Sequence, residues 1–138
     1  MKNTRSSAPY QYSNIRDQNK NEILEDYVEA IDEIFNKKGS VKNVDLCKFF
    51  GVSNATVCKN IKRLIKAQLV ESEKYKNIFL TKNGKKLANQ SNERHQIVFN
   101  FLTQLGVSRK TAETDSEGMD HHISEETLRI MKKFIKSN

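Results

Sequence analysis

Seven side chains in three separated stretches could do metal chemistry: Asp26 and Glu29, then His95, then Glu117, Asp120, His121 and His122. Carboxylates and imidazoles are the ligands that divalent first-row cations take from proteins. Asp26 and Glu29 are three apart in a strongly helical stretch, which makes their side chains neighbours on one face. Glu117, Asp120 and His121 repeat that arrangement at i, i+3 and i+4. Four carboxylates brought together need a cation, so the pattern points to a metal site that ties distant parts of the fold to one another. The bland reading stands beside it. Asp26 and Glu29 would serve equally as a solvated helix face, as Glu22, Glu25, Asp32 and Glu33 around them are read. A lone His95 would serve as a satisfied core or interface histidine.

The elements that must position these groups are mostly helices. Ile23, Leu24, Tyr27, Val28, Ile31, Ile34 and Phe35 recur at helical spacing and predict a first helix from about Asn21, ended by Lys37, Lys38 and Gly39. Residues 1–20 are almost wholly polar and read as a flexible arm. A short helix follows over about Asn43 to Phe50, and Gly51 permits a tight turn. Ser53 is a fitting N-cap for a third helix from Asn54 to about Ala67. Val57, Cys58, Ile61, Leu64 and Ile65 form its inner face, and Asn54, Ala55, Thr56, Lys59, Asn60, Lys62, Arg63 and Lys66 look outward. Two short strands, around Leu69 to Glu73 and Ile78 to Thr81, are joined by a polar turn carrying Lys74, Tyr75 and Lys76. The chain is then helical again from Lys82 or Asn83 to about Leu105, where Gly106 stops it. A short helix over Ser108 to Asp115, the segment Ser116 to Ile123 and a last helix from Glu125 to Ile135 complete it. This is a mainly α fold: a winged helix-turn-helix with a small β-hairpin wing over 21–82, followed by an all-helical unit over 83–138, too small to stand alone and so expected to dimerise.

Charge locates a second function. The 138 residues carry a net charge of +7, and the stretch from Ser53 to Lys86, with nine basic and two acidic residues, accounts for all of it. That stretch is the third helix and the wing, so double-stranded DNA is the expected partner. Ser53, Asn54, Ala55 and Thr56 at the helix start are the candidate base readers. Lys59, Lys62 and Arg63 are candidate phosphate contacts, with Asn60 or Arg63 able to read a base, and Lys74 and Lys76 on the wing track the backbone. Cys47 and Cys58 are too few for a disulfide scaffold and belong to no CxxC pair, so both are expected reduced and partly buried. No apolar run approaches a membrane span and the first twenty residues hold no signal-peptide core, so a cytoplasmic protein is expected.

The segments LEDYVEAI, GVSNATVCKNIKRL, YKNIFLTKNGKKLA, ERHQIVFNFL and DSEGMDHHISEETL, between about Glu25 and Lys133, resemble the diphtheria-toxin-repressor (iron-dependent repressor) family, specifically its manganese-responsive branch. The resemblance implies metal ligation by Asp26, Glu29, His95, Glu117, Asp120 and His121, with one or two Mn(II) ions per subunit and His122 a neighbour rather than a ligand. Softer Met and Cys ligands are typical of the iron-responsive branch, and this chain has Asp26 and Glu117 at the corresponding positions, which favours manganese. Two features depart from the family pattern: Asp120 stands where a Glu is usual, and the SH3-like domain of many iron-responsive members is not part of this sequence. The function implied is a homodimeric repressor of manganese uptake that binds a pseudo-palindromic operator when its metal is bound, and not an enzyme. The alternatives are a winged-helix regulator answering to iron or another signal, and a metal-dependent hydrolase.

Overall fold

The computed structural model describes residues 8–73 and 77–137. Its elements, in chain order, are α1 (Ala8–Lys38), α2 (Asn43–Phe50), α3 (Asn54–Lys66), β1 (Val70–Ser72), β2 (Ile78–Leu80), α4 (Lys82–Gln104), α5 (Arg109–Met119), a 3-10 turn (Asp120–His122) and α6 (Glu125–Ser137). The first helix therefore begins well before Asn21, which corrects the expected arm for residues 8–20; the remaining arm residues, 1–7, lie outside the described residues. No Gly or Pro interrupts the chain between Pro9 and Gly39, and Pro9 falls in the first turn, where its missing N–H leaves no helical bond unmade. Polarity limits what a helix can bury, but it does not end the helix.

Two apolar cores follow one another along the chain. The first gathers Tyr27, Val28 and Ile31 of α1, Leu46 of α2, Val57, Ile61 and Leu64 of α3, Val70 and Ile78 of the hairpin, and Ala88 of α4. Each fully buried side chain such as Ile31, Leu46 or Leu64 contributes about 1.5–3 kcal/mol relative to exposure. Val57, Ile61 and Leu64 lie on one stripe of α3 at i, i+4 and i+7, whereas Ile65, expected on that stripe, is 43% exposed because it falls off it. Tyr27 stacks on Phe50 with ring centroids 4.5 Å apart, which seats α1 against the end of α2. The second core joins Ile97, Val98, Phe99 and Leu102 of α4 to Ala112 of α5 and Leu128 and Met131 of α6. The long helix α4 contributes to both, with Ala88 in the first and Ile97 to Leu102 in the second.

Local chemistry sets the joints. Gly51 ends α2 in the left-handed region at φ 66°, with Val52 N–H returning to the Cys47 carbonyl. Ser53, Thr81, Ser108 and Ser124 each accept a backbone N–H three residues on, at the starts of α3, α4, α5 and α6. The two strands pair antiparallel with Val70 opposite Leu80 and Ser72 opposite Ile78. Gly84 lies so close to the Leu69 carbonyl that a Cβ there would stand 2.0 Å from the oxygen, so only glycine lets α4 start against the base of the hairpin. Cys47 and Cys58 are free and half-buried, as expected. No helix among the described residues is long and apolar enough to cross a membrane.

Candidate metal centre and nucleic-acid interface

The acidic and imidazole residues converge where α1, α4, α5 and the 3-10 turn meet. Asp26 and Glu29 come from one face of α1, His95 from the middle of α4, Glu117 from the last turns of α5, and Asp120 and His121 from the 3-10 turn. Asp120, 3% exposed, is the bridge. Its Oδ2 lies 3.3 Å from His95 Nδ1 and its Oδ1 lies 3.3 Å from His121 Nε2. Glu117 Oε1 is 3.7 Å from His95 Nδ1, and Asp26 Oδ1 is 3.1 Å from His121 Nε2. Glu29 lines an open cleft of 380 Å³ together with His95, Glu117, Asn92, Asp32 and Asn36. The six expected ligands are thus neighbours, although they are separated by up to 95 positions in sequence.

The electrostatics are those of crowded, partly buried carboxylates around a protonated imidazole. Burial raises the Glu29 carboxyl to about 7, with the charge of His121 working against that rise and those of Asp120, Asp26 and Glu117 adding to it. Burial also raises Asp120, opposed by His121 and His95. For His121, burial alone would lower the imidazole, but hydrogen bonds to Asp26 and Glu25 and the Asp120 charge outweigh it and hold the ring proton up to about 11. Glu29 Oε1 and Asp120 Oδ1 are buried without a hydrogen-bond partner, a costly state for a carboxylate. The 3.3 Å from Asp120 Oδ1 to His121 is an ion-pair distance without hydrogen-bond geometry. A hard divalent cation would satisfy both orphaned oxygens, and the donor set of carboxylates and two imidazoles suits it.

Several residues around this centre were not among the expected ones. Glu25 Oε2 lies 2.5 Å from His121 Nδ1, and Glu22 Oε2 lies 3.1 Å from His122 Nε2. Both carboxylates, read from sequence as a solvated face, are therefore engaged across the interface with the 3-10 turn; Asp32 likewise pairs with Lys85 of α4 at 2.5 Å. Glu113 Oε1 lies 3.4 Å from His95 Nε2. Its signal was present in the sequence, one helical turn before Glu117, but α5 was expected to stop at Asp115 and so the two were not placed on one face. Arg94 fastens the ligand-bearing turn from behind, with Nε donating to the Asp120 carbonyl at 3.1 Å and its other nitrogens to the Ile123 carbonyl and Glu125.

Away from its buried stripe, α3 and its N-cap present Ser53, Asn54, Ala55, Thr56, Lys59, Lys62 and Arg63 to solvent. Ser53 Oγ accepts Thr56 N–H at 3.2 Å and lies 3.1 Å from its hydroxyl, which orders the start of the helix. Asn60 is a correction. It is 8% exposed and its Nδ2 donates to Tyr27 Oη at 3.0 Å, so it faces α1 and cannot reach a base edge. Its position, three after Val57 and one before Ile61, lies inside the buried stripe, where only its polar type suggested otherwise. Lys74 and Lys76, with Tyr75, lie outside the described residues.

Residues 21–78 match the iron dependent repressor N-terminal DNA binding domain, and residues 81–137 match the iron dependent repressor metal binding and dimerisation domain. The transcriptional regulator MntR of Escherichia coli O157:H7 is 43% identical over 127 residues, which are 92% of this chain and 82% of that protein. The HTH-type transcriptional regulator MntR of Geobacillus kaustophilus is 33% identical over 101 residues, 73% of this chain and 72% of that protein. The solved structure of the manganese regulator SloR superposes with a TM-score of 0.71 at 25% identity, covering 83% of this chain. This chain spans 54% of the SloR chain.

Proposed function

Because the chain belongs to the iron-dependent repressor family, and is a metal-responsive DNA-binding transcriptional regulator, we propose that the metal it senses is manganese(II) and that it represses genes for manganese uptake. The single observation that carries the metal reading is the convergence of ligand candidates from both halves of the chain on one place, with two buried carboxylate oxygens left unpartnered. Asp26, Glu29, His95, Glu117, Asp120 and His121 would hold one or two ions per subunit. The absence of Met and Cys from this set favours a hard cation at the weak-binding end of the divalent series. A bound cation supplies the positive charge that four neighbouring carboxylates require.

The chain's own residues carry the consequence to DNA. Asp26 and Glu29 flank Tyr27 on α1, and Tyr27 is hydrogen-bonded to Asn60 on the inner face of α3. The position of α1 against the 3-10 turn therefore sets the position of the exposed face of α3, which would enter the major groove with Ser53 to Thr56 foremost. Lys59, Lys62 and Arg63 would hold phosphates, and Lys74 and Lys76, which fall between the two strands in sequence, would do the same. Residues 83–138 would join two subunits, so that two α3 helices read a pseudo-palindromic operator in the cytoplasm. With the metal-free carboxylates repelling one another, the two halves would sample several arrangements, and a cation held by these ligands would narrow them to the one that fits both half-sites.

The test is DNA binding to the upstream region of a manganese-transporter gene, titrated with Mn(II), with chelator, and with Fe(II) under anaerobic conditions. Tight binding that requires Mn(II) and is lost in His95→Ala and Glu117→Ala, with non-specific binding retained, is the expected result. Equal binding in chelator, or an unchanged metal response in both variants, defeats the reading.

A further inference from the structure

Each histidine of the centre is held between carboxylates on both ring nitrogens, and the two sides differ. Around His121, the Nε2 side faces the ligand candidates Asp26 at 3.1 Å and Asp120 at 3.3 Å, while Nδ1 faces Glu25 at 2.5 Å. Around His95, the Nδ1 side faces Asp120 at 3.3 Å and Glu117 at 3.7 Å, while Nε2 faces Glu113 at 3.4 Å. We propose that Glu25 and Glu113 are positioning residues: when a cation is bound, each would accept the N–H of the outward ring nitrogen and so leave the lone pair of the other nitrogen free for the cation held among the ligand carboxylates. This inference rests on the metal reading above and deepens it.

The chemistry allows one assignment. A neutral imidazole has one N–H and one lone pair, and a carboxylate accepts but does not donate. A metal-bound His121 with Glu25 against Nδ1 must therefore carry its proton on Nδ1 and offer Nε2. His95, with Glu113 against Nε2, must do the reverse. A carboxylate on the far nitrogen fixes the ring orientation and raises the basicity of the nitrogen that binds. Burial ranks the two. The His121 side chain is 3% exposed and that of Glu25 22%, so water cannot readily take over the acceptor role, whereas Glu113 is 60% exposed and shares its role with solvent. Glu25 also directly precedes Asp26, so adjacent residues of α1 grip one ring from its two sides.

The experiment measures Mn(II) affinity and ion number by electron paramagnetic resonance of the free ion, for the full chain and for Glu25→Ala, Glu25→Gln, Glu113→Ala and Asp26→Ala. Glu25→Ala is expected to weaken binding about 10–100-fold with the number of ions unchanged. Glu25→Gln, whose amide oxygen still accepts the N–H, should recover most of that loss, and Glu113→Ala should lose less than Glu25→Ala. Ring nitrogen shifts of the zinc(II)-loaded, 15N-labelled protein should show the proton on Nδ1 of His121 and on Nε2 of His95. Wild-type affinity in Glu25→Ala, the loss of one ion in that variant, or the opposite tautomer overturns the proposal. If Asp26→Ala also binds Mn(II) normally, it is the metal reading itself that fails.

Discussion

The proton is the native competitor of a cation at this centre. With Glu29 held up to about 7 and His121 to about 11, the metal-free protein at pH 7 keeps a proton on the imidazole and part of one on the carboxyl. Ligation requires both to leave, so Mn(II) uptake should release between about one and two protons and affinity should rise from pH 6 to pH 8. Calorimetry in buffers of different ionisation enthalpy reads that number; release of no protons would contradict it. The same shifts fix the sign of the stability change. Both groups bind protons more tightly folded than unfolded, so the metal-free fold loses their contribution as pH rises, Glu29 between 4.5 and about 7 and His121 between 6.5 and about 11. Thermal unfolding of the metal-free protein should therefore fall in Tm from pH 5 to pH 8, and saturating Mn(II) should reverse that fall. The six ligand candidates could be proposed from residue type and spacing because metal chemistry restricts the types. Glu25 and Glu113 could not, since an acid on a helix face looks the same whether it meets water or a histidine from the far end of the chain.

Among the elements, α1 and α3 are joined by one polar contact inside an apolar core. Tyr27→Phe removes the acceptor of Asn60 Nδ2 and leaves a buried amide donor, which should cost about 1–3 kcal/mol in urea unfolding while Mn(II) affinity stays near wild type. An unchanged midpoint would mean that the Asn60 amide finds another partner. Gly84→Ala should be worse. Its Cβ would collide with the Leu69 backbone carbonyl, which cannot rotate away, so a loss of about 3 kcal/mol or more is expected in the same measurement. Helix existence was legible throughout, because runs such as Ile23 to Phe35 and Val57 to Leu64 keep a period that strands do not share. Boundaries were less so: α1 starts earlier and α5 runs longer than expected, both in polar stretches where no apolar pattern marks the continuation.

Across the whole molecule, the candidate metal ligands and the exposed face of α3 share no residue, so changes at one can be separated from changes at the other. Lys62→Ala removes an exposed charge from α3 and should flatten the dependence of log K on log salt by about 0.9, weaken binding to all sequences alike, and leave Mn(II) affinity unchanged. A change confined to one operator position would instead mark Lys62 as a base reader. The concentration of the +7 charge between Ser53 and Lys86 makes this separation possible, since the centre itself lies in a locally acidic part of the fold.

What the sequence by itself determined is what is local or periodic: the order of the helices, the hairpin, the basic helix and wing, and the residue types fit to bind a cation. Tertiary structure alone decided which of the polar residues meet. Asn60 went inward to Tyr27 because its place on α3 lies within the buried stripe, and Glu22, Glu25 and Glu113 acquired histidine partners because packing brought α1 and α5 against residues as many as 100 positions away. A carboxylate or amide has the same local preferences in either setting; only the three-dimensional arrangement of low-dielectric walls and partner groups distinguishes a solvated side chain from one that holds a site together.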